Sequence, residues 1–454
     1  VEVVLHGVEH LADPTVILTI VAASAMGLVF GAIPGLTATM ATALLVPFTF
    51  FMSPIPALVA MVTVSAMAIF AGDIPGALVR IPGTPASAAY VDESYQLTQR
   101  GQGQLALGTG LMASATGGLI GAIALMTAAP ALAELSLQFT SFEYFWLAAM
   151  GLSATVMMAS DRPAKAGLAI VLGLLLSTIG LDITLGYPRF TFGQVELESG
   201  INFIPAMIGL FGVAEVLRNV LTGSVRLEPL RVKANGIFSG VPRVLWRYRG
   251  NVLRSGIIGT IIGIMPGAGA DIAAWLTYAI SRQRSKEPHK FGTGHIEGIA
   301  DASTANNAAL GGAWVPALVF GIPGDSITAI IIGVLFMKGL QPGPAIFRNN
   351  PELIYAVYSA FILANLLLLV FGQLAIRGAS YLLRVPKNIL MPTILLFCVV
   401  GAFAINNSLF DVGVMLAMGI LGYILEVNGV PVAPVVLGLV LGPILEKNFM
   451  FSMI

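Results

Sequence analysis

The sequence predicts an all-α polytopic membrane protein, an inverted repeat whose helices are interrupted at Pro-Gly breaks and turn back as re-entrant hairpins. Three observations carry this expectation. The 454 residues are 57% hydrophobic and 10% charged, with mean hydropathy +0.89, whereas roughly a quarter of the residues of a soluble domain are charged. Two Pro-Gly motifs recur in the same order: Pro75 to Pro85 returns as Pro316 to Ser326, and Gly27 to Gly35 returns as Gly259 to Gly267. Both prolines of the first pair are displaced by 241 positions (Pro82 to Pro323), and the second pair by 232 (Pro34 to Pro266). Third, equivalent loops of the two halves carry opposite Lys and Arg bias, and that bias sets orientation in a membrane.

Taken in order, residues 1–222 read as the first membrane repeat, 223–250 as a basic cytoplasmic connector and 251–454 as the second, inverted repeat. Thr15 to Ile33 and Leu36 to Phe51 are apolar arms on either side of Pro34-Gly35. Crossing hydrocarbon takes about 20 helical residues, so these arms either just span or turn back. Their counterparts, Ser255 to Met265 and Gly269 to Ile280, are shorter and favour a re-entrant hairpin, with basic residues on both flanks. Ile55 to Ala71 leads into the Pro75 to Pro85 motif, and a polar loop is expected from Asp92 to Gln104. Four apolar runs complete the half: Leu105 to Ala129, Phe142 to Met158, Ala164 to Leu181 and Phe203 to Leu221. After the Pro316 to Ser326 motif the series returns as Leu353 to Ile376, Ile389 to Ala404, Leu409 to Leu425 and Pro431 to Leu445.

Twelve of the 23 basic residues fall between Arg218 and Lys290, which places the connector inside. The loop with Arg162 and Lys165 then falls inside, and the stretch Pro130 to Ser141, without Lys or Arg, outside. In the second half Arg377, Arg384 and Lys387 occupy the counterpart of the bare loop, and Asn406-Asn407-Ser408 replaces the basic one. Each half crosses five times on this reading, with both termini outside. The first residues carry Glu2 and Glu9 rather than a basic n-region, so no signal peptide is expected.

Composition also excludes function classes. A formal net charge of zero gives no electrostatic case for nucleic acid. A single cysteine, Cys398, allows no intramolecular disulfide, and His6, His10, His289 and His295 form no metal-ligand spacing. The absence of a G-x-x-x-x-G-K-[S/T] loop argues against ATP hydrolysis, and no nucleophile-base constellation supports an intramembrane enzyme. No cofactor is expected beyond a coupling Na⁺ or H⁺.

The breaks are where chemistry is expected. Proline lacks the backbone N–H and glycine admits positive φ, so a helix entering Pro34-Gly35, Pro82-Gly83, Pro266-Gly267 or Pro323-Gly324 opens there. Inside a bilayer, opened backbone is tolerated only when buried in protein or lining a cavity. Interrupted helices in paired repeats hold the solute of secondary transporters near the midplane. Half-helix N-termini suit an anion, and freed carbonyls and hydroxyls suit Na⁺. Candidate solute-binding residues are Thr37, Arg80, Gly83, Thr84, Ser87, Asn306, Asn307, Gly324, Asp325 and Ser326; candidate ion-coupling residues are Asp73, Asp271 and Thr328. Several hydroxyls can equally be helix caps. Asp73 and Arg80 either pair with each other or, in the functional reading, leave Arg80 to face a solute carboxylate bidentately. Gly27/Gly31 and Gly259/Gly263 read as close-packing pairs, and Phe145, Trp146, Met157 and Met158 as lipid-facing or core residues.

These residues resemble a known family, the large membrane subunit of the tripartite tricarboxylate transporters. The resemblance rests on Gly31-x-x-Pro34-Gly35-Leu36-Thr37, Ile81-Pro82-Gly83-Thr84-Pro85-Ala86-Ser87-Ala88, Ala305-Asn306-Asn307-Ala308-Ala309 through Gly321-Ile322-Pro323-Gly324, and Gly339-Leu340-Gln341-Pro342-Gly343-Pro344. Pro188-Arg189-Phe190-Thr191-Phe192-Gly193 and Gly438-Leu439-Val440-Leu441-Gly442-Pro443 extend it across nearly the whole chain. The chain departs at Gly72-Asp73-Ile74-Pro75-Gly76 and Arg80, where a small polar Gly-Gly-Ser-like stretch is expected. The resemblance implies a multi-pass permease of the bacterial inner membrane that takes up a di- or tricarboxylate. It implies a periplasmic solute-binding protein and a small membrane subunit as partners, with an ion gradient as driving force. A homo-oligomer is compatible with it. A stand-alone organic-anion channel or facilitator is the alternative, distinguished by the lack of accumulation against a gradient.

Overall fold

A computed structural model of the chain describes residues 10–158, 162–182, 186–221, 230, 232, 236–383, 385 and 387–453. His6, Glu2, Glu9, Arg384 and residues 223–229, 231 and 233–235 of the connector lie outside the described residues. Among the described residues eight helices are long and apolar enough to cross a membrane. The only strands described are a two-residue pair, β1 (Gly180–Leu181) and β2 (Pro188–Arg189), joined antiparallel. The chain is an all-α polytopic membrane protein.

The first half runs through α1 (Pro14–Ala32), α2 (Ala38–Phe50), α3 (Pro54–Ala71), α4 (Asp73–Val79), α5 (Val91–Gln99), α6 (Gly103–Ser136), α7 (Ser141–Met158), α8 (Pro163–Ser177) and α9 (Phe203–Leu221). A short α10 (Val241–Arg247) precedes α11 (Arg249–Ile264), α12 (Gly269–Arg284), α13 (Ile296–Phe320), α14 (Ser326–Met337), α15 (Pro344–Asn349), α16 (Pro351–Leu382), α17 (Lys387–Asn406), α18 (Leu409–Val427) and α19 (Ala433–Ser452). Local chemistry sets several ends. Asp13 caps α1, accepting from the Thr15 N–H at 2.7 Å, with Pro14 at the first helical position. Asn202 and Ser408 cap α9 and α18 in the same way. Within α9, Ile208–Val213 is wound as a π-helix.

Four expectations about the elements are corrected. The stretch Asp92 to Gln104, expected as a polar loop, contains α5. Its helix is polar almost throughout, so no apolar period announces it, yet it buries Glu93, Ser94 and Leu97. The bare loop expected from Pro130 to Ser141 shrinks to four residues, because α6 continues through Pro130 to Ser136. The second hairpin also differs: α11 and α12 are 16 residues each rather than 11 or 12. At 1.5 Å per residue each arm then reaches about 24 Å. Finally, α8 stops at Ser177 and hands over to β1, short of Leu181.

Packing in the first half has a counterpart in the second. α1 lies along α3, and α11 along α13; α2 packs on α3, and α12 on α13. Across the halves α16 lies against α3 and α1, and α6 against α13 and α11. At the periphery α8 and α7 pack on α19, while α18 and α17 pack on α9. Glycines permit the closest approaches. A Cβ on Gly27 would stand 2.5 Å from the Val64 carbonyl oxygen, and on Gly121 2.6 Å from that of Ala308. The centre is filled by the fully buried Trp314 of α13, whose indole meets Phe361 of α16 edge-on at 5.4 Å. Around this core α3 and α13 are buried along almost their whole lengths.

Candidate functional site

Helices stop at all four Pro-Gly stretches, each by an identifiable device. At the first, Ile33 is extended, Gly35 has φ +93°, and Thr37 restarts the chain as α2, its Oγ1 accepting from the Met40 N–H at 3.1 Å. At the second, Arg80 in the left-handed region ends α4 at φ +58°. Thr84 and Ser87 then bond reciprocally, Thr84 N–H to Ser87 Oγ at 3.1 Å and Ser87 N–H to Thr84 Oγ1 at 3.2 Å. At the third, Gly267 and Gly269 take φ +78° and +63° between α11 and α12. At the fourth, Gly321 closes α13 at φ +68°, and Asp325 opens α14 in a capping box with Thr328.

Hydrogen bonds draw the breaks together. Gly267 N–H donates to the Gly324 carbonyl at 2.8 Å, joining the third break to the fourth. The carboxylate of Asp271, in the first turn of α12, accepts from Ala86 N–H at 3.0 Å, and Trp275 Nε1 donates to the Pro85 carbonyl at 3.1 Å. Those two bonds tie the second break to the third. Between them lies a cavity of about 250 Å³.

All four breaks wall this cavity. Thr37, Thr84, Asp271, Asn306, Asp325 and Ser326 line it, together with the Gly267 to Ile272 backbone. The N-termini of α2, α12 and α14 therefore open onto one space, and the positive ends of their dipoles favour negative charge there, with Thr37 and Asp325 capping two of them. Among the described residues lining it there are two carboxylates and no Lys or Arg. A larger cavity, about 750 Å³, is lined by Arg189, Glu198, Asn202 and Glu446 among others, and receives no residue of any break.

Other sequence-selected residues stand outside the lining. Arg80 is turned away and pairs with Asp92 at 2.8 Å, its side chain 57% exposed. Of the two readings left open for Asp73 and Arg80, the mutual pair is not formed: Asp73 is buried and accepts from Tyr90 Oη at 2.5 Å. The cause is the left-handed turn at Arg80, which swings its side chain off the face that carries Asp73. Gly83 and Gly324 are positions of close backbone approach, where a Cβ would stand 2.8 Å from Gly31 O and 2.7 Å from Gly263 O. Ser87 and Thr328 brace the break backbones, and Asn307 is buried without a hydrogen-bond partner among the described residues.

Five residues escaped the sequence reading. Thr155 of α7 reaches the lining from a helix with no local polar mark, and Pro431 and Pro434 add a wall at the start of α19. Tyr90 joins Asp73 only through the fold. Glu93 is buried, and its carboxylate accepts from Tyr278 Oη at 2.7 Å, Gly292 N–H at 2.5 Å, and the N–H groups of Gly294 and His295 at 2.6 Å each.

The tripartite tricarboxylate transporter TctA family model matches residues 17–437, spanning all four breaks and the cavity they enclose. The chain belongs to the TctA family. It is a subunit of a multi-pass membrane transporter of the TctA type, which works with further components, and the family is not one of enzymes. The chain is also similar to two proteins of Agrobacterium vitis. To the uncharacterized 52.8 kDa protein in the TAR-I ttuC' 3' region it is 36% identical over 457 residues, 99% of this chain and 89% of that protein. To an uncharacterized protein in the TAR-II ttuC' 3' region it is 37% identical over 196 residues, 43% of this chain and 81% of that protein. No solved structure matches the chain.

Proposed function

We propose that this TctA-family chain is the permease of a binding-protein-dependent secondary transporter that imports a small organic anion, a di- or tricarboxylate, on a Na⁺ or H⁺ gradient. One observation carries the reading: a single cavity receives the N-termini of three interrupted helices and a polar side chain from each of four breaks. Its 250 Å³ suits a solute of a few carbons with carboxylates at its ends. Asp271 and Asp325 would repel such a solute on their own, so accompanying cations belong to the mechanism. They neutralise the carboxylates as the anion enters, and solute and ion are thereby obliged to bind together.

The paired packing of α1 on α3 and α11 on α13, and of α8 on α19 and α18 on α9, supports a duplicated architecture. Together with the swapped Lys and Arg bias of equivalent loops, it favours the inverted arrangement. The periplasmic solute-binding protein, the small membrane subunit and the bacterial inner membrane belong to the same reading.

Uptake of radiolabelled di- and tricarboxylates into cells expressing the chain with its neighbouring genes tests the proposal. Accumulation above the external concentration, abolished by collapse of the Na⁺ and H⁺ gradients, is expected. Equilibration without accumulation would replace the carrier with a channel.

A further inference from the structure

A second polar centre lies behind the cavity, and the lining does not include it. Asp73, at the start of α4, is 4% exposed, and its Oδ1 accepts from Tyr90 Oη. Its other oxygen, Oδ2, has no hydrogen-bond partner among the described residues. It sits over Gly110 of α6, 3.1 Å from where a Cβ would stand, with Ser303 Oγ of α13 3.7 Å from the same point. Ser303 is fully buried and likewise unpartnered, as is Thr109, the neighbour of Gly110. Arg80, the nearest basic residue in sequence, is engaged with Asp92 at the surface.

Serine and threonine inside helices ordinarily bond their hydroxyl to a carbonyl one turn back. Thr42, Thr63, Thr98, Thr260 and Thr304 do so here. Thr109 and Ser303 do not, although both are buried where an unpaired hydroxyl is costly. Ser303 Oγ stands on the Asp73 side of Gly110, where the second carboxylate oxygen also lacks a partner among the described residues. A proton would satisfy one of these oxygens. A small hard cation satisfies several, and oxygen donors of mixed charge are the ligands such cations take.

We propose that Asp73 Oδ2 and Ser303 Oγ, with Tyr90 beside them, form a Na⁺ site that couples to the solute cavity through Tyr90 and Asn306. The Tyr90 hydroxyl lies beside both Ser303 and Asn306, and Asn306 lines the cavity. A cation on Asp73 fixes Tyr90, and Tyr90 in turn holds the Asn306 carboxamide in its solute-facing position. This inference deepens the transport reading and rests on it for its purpose, but the binding event can be measured alone.

The test is thermal unfolding of the purified full chain in detergent, with no solute and no binding protein present. Na⁺ is titrated against choline and, separately, K⁺ at constant ionic strength and at two pH values. The midpoint is expected to rise with Na⁺ and saturate. Asp73→Asn, nearly isosteric, should lose the rise, and Ser303→Ala should weaken the apparent Na⁺ affinity about tenfold. Asp92→Asn, in the exposed pair with Arg80, should keep the rise. A full rise in Asp73→Asn and Ser303→Ala, an equal rise in K⁺, or a midpoint that follows pH and ignores Na⁺ would each overturn the site. Because no solute is present, loss of the transport reading would leave a positive result standing.

Discussion

The carbonyl oxygen of Ala309 occupies the space a Cβ on Gly263 would need, so α11 and α13 touch backbone to backbone. Gly31 and Ala68 repeat that relationship in the first half, at the same two displacements that separate the Pro-Gly motifs. Gly263→Ala and Gly31→Ala should each destabilise the protein by about 1–3 kcal/mol, since neither backbone can retreat. Gly167 and Gly378, in α8 and α16, have nothing within 4 Å of an added Cβ. Alanine there should be neutral or stabilising by up to about 1 kcal/mol. Thermal unfolding in detergent compares the four.

Arg80 is expected to be dispensable for the cavity. Its exposed ion pair with Asp92 contributes about 0.2–1 kcal/mol. Arg80→Ala should therefore unfold within a few degrees of the parent and retain uptake within about threefold, the change in rate corresponding to well under 1 kcal/mol. Complete loss of uptake in a well-folded variant would return the guanidinium to the solute.

Asp271 joins the halves through the Ala86 N–H. Asp271→Ala leaves that buried donor unpaired, a loss of about 1–3 kcal/mol, and should abolish uptake. Asp271→Asn keeps an acceptor oxygen and should restore most of the stability while altering the ion dependence of transport. Thermal unfolding beside uptake assays separates the two effects.

Glu93 holds the segment between α12 and α13 with both carboxylate oxygens. Glu93→Gln replaces one acceptor with an NH₂ group facing backbone donors and should destabilise by on the order of 3 kcal/mol. Faster proteolysis between Ser285 and His295 is the expected sign, read by limited digestion and mass mapping.

The breaks were legible because proline and glycine act on their own backbone, whatever surrounds them. Asp325 and Thr37 were legible for a related reason, being the first polar groups after an interruption. Arg80 was not: its direction is decided by a left-handed φ that an arginine does not advertise. Tyr90 and Asp73 are 17 residues apart, and only the route of the chain through the second break sets one against the other. Thr155 sits in a helix whose neighbours are Ala, Met and Val, so its polarity looked incidental. Helix α5 was lost because its burial is by charge-accepting groups such as Glu93, which no hydrophobic period records.

The cavity's walls are drawn from both ends of the polypeptide, Thr37 and Thr84 from one and Asp271, Asn306, Asp325 and Ser326 from the other. Severed within the connector and translated as two fragments, the protein would carry an incomplete basin on each piece. Only fragments that find one another in the bilayer could regain solute recognition, so complementation between them would report directly on assembly.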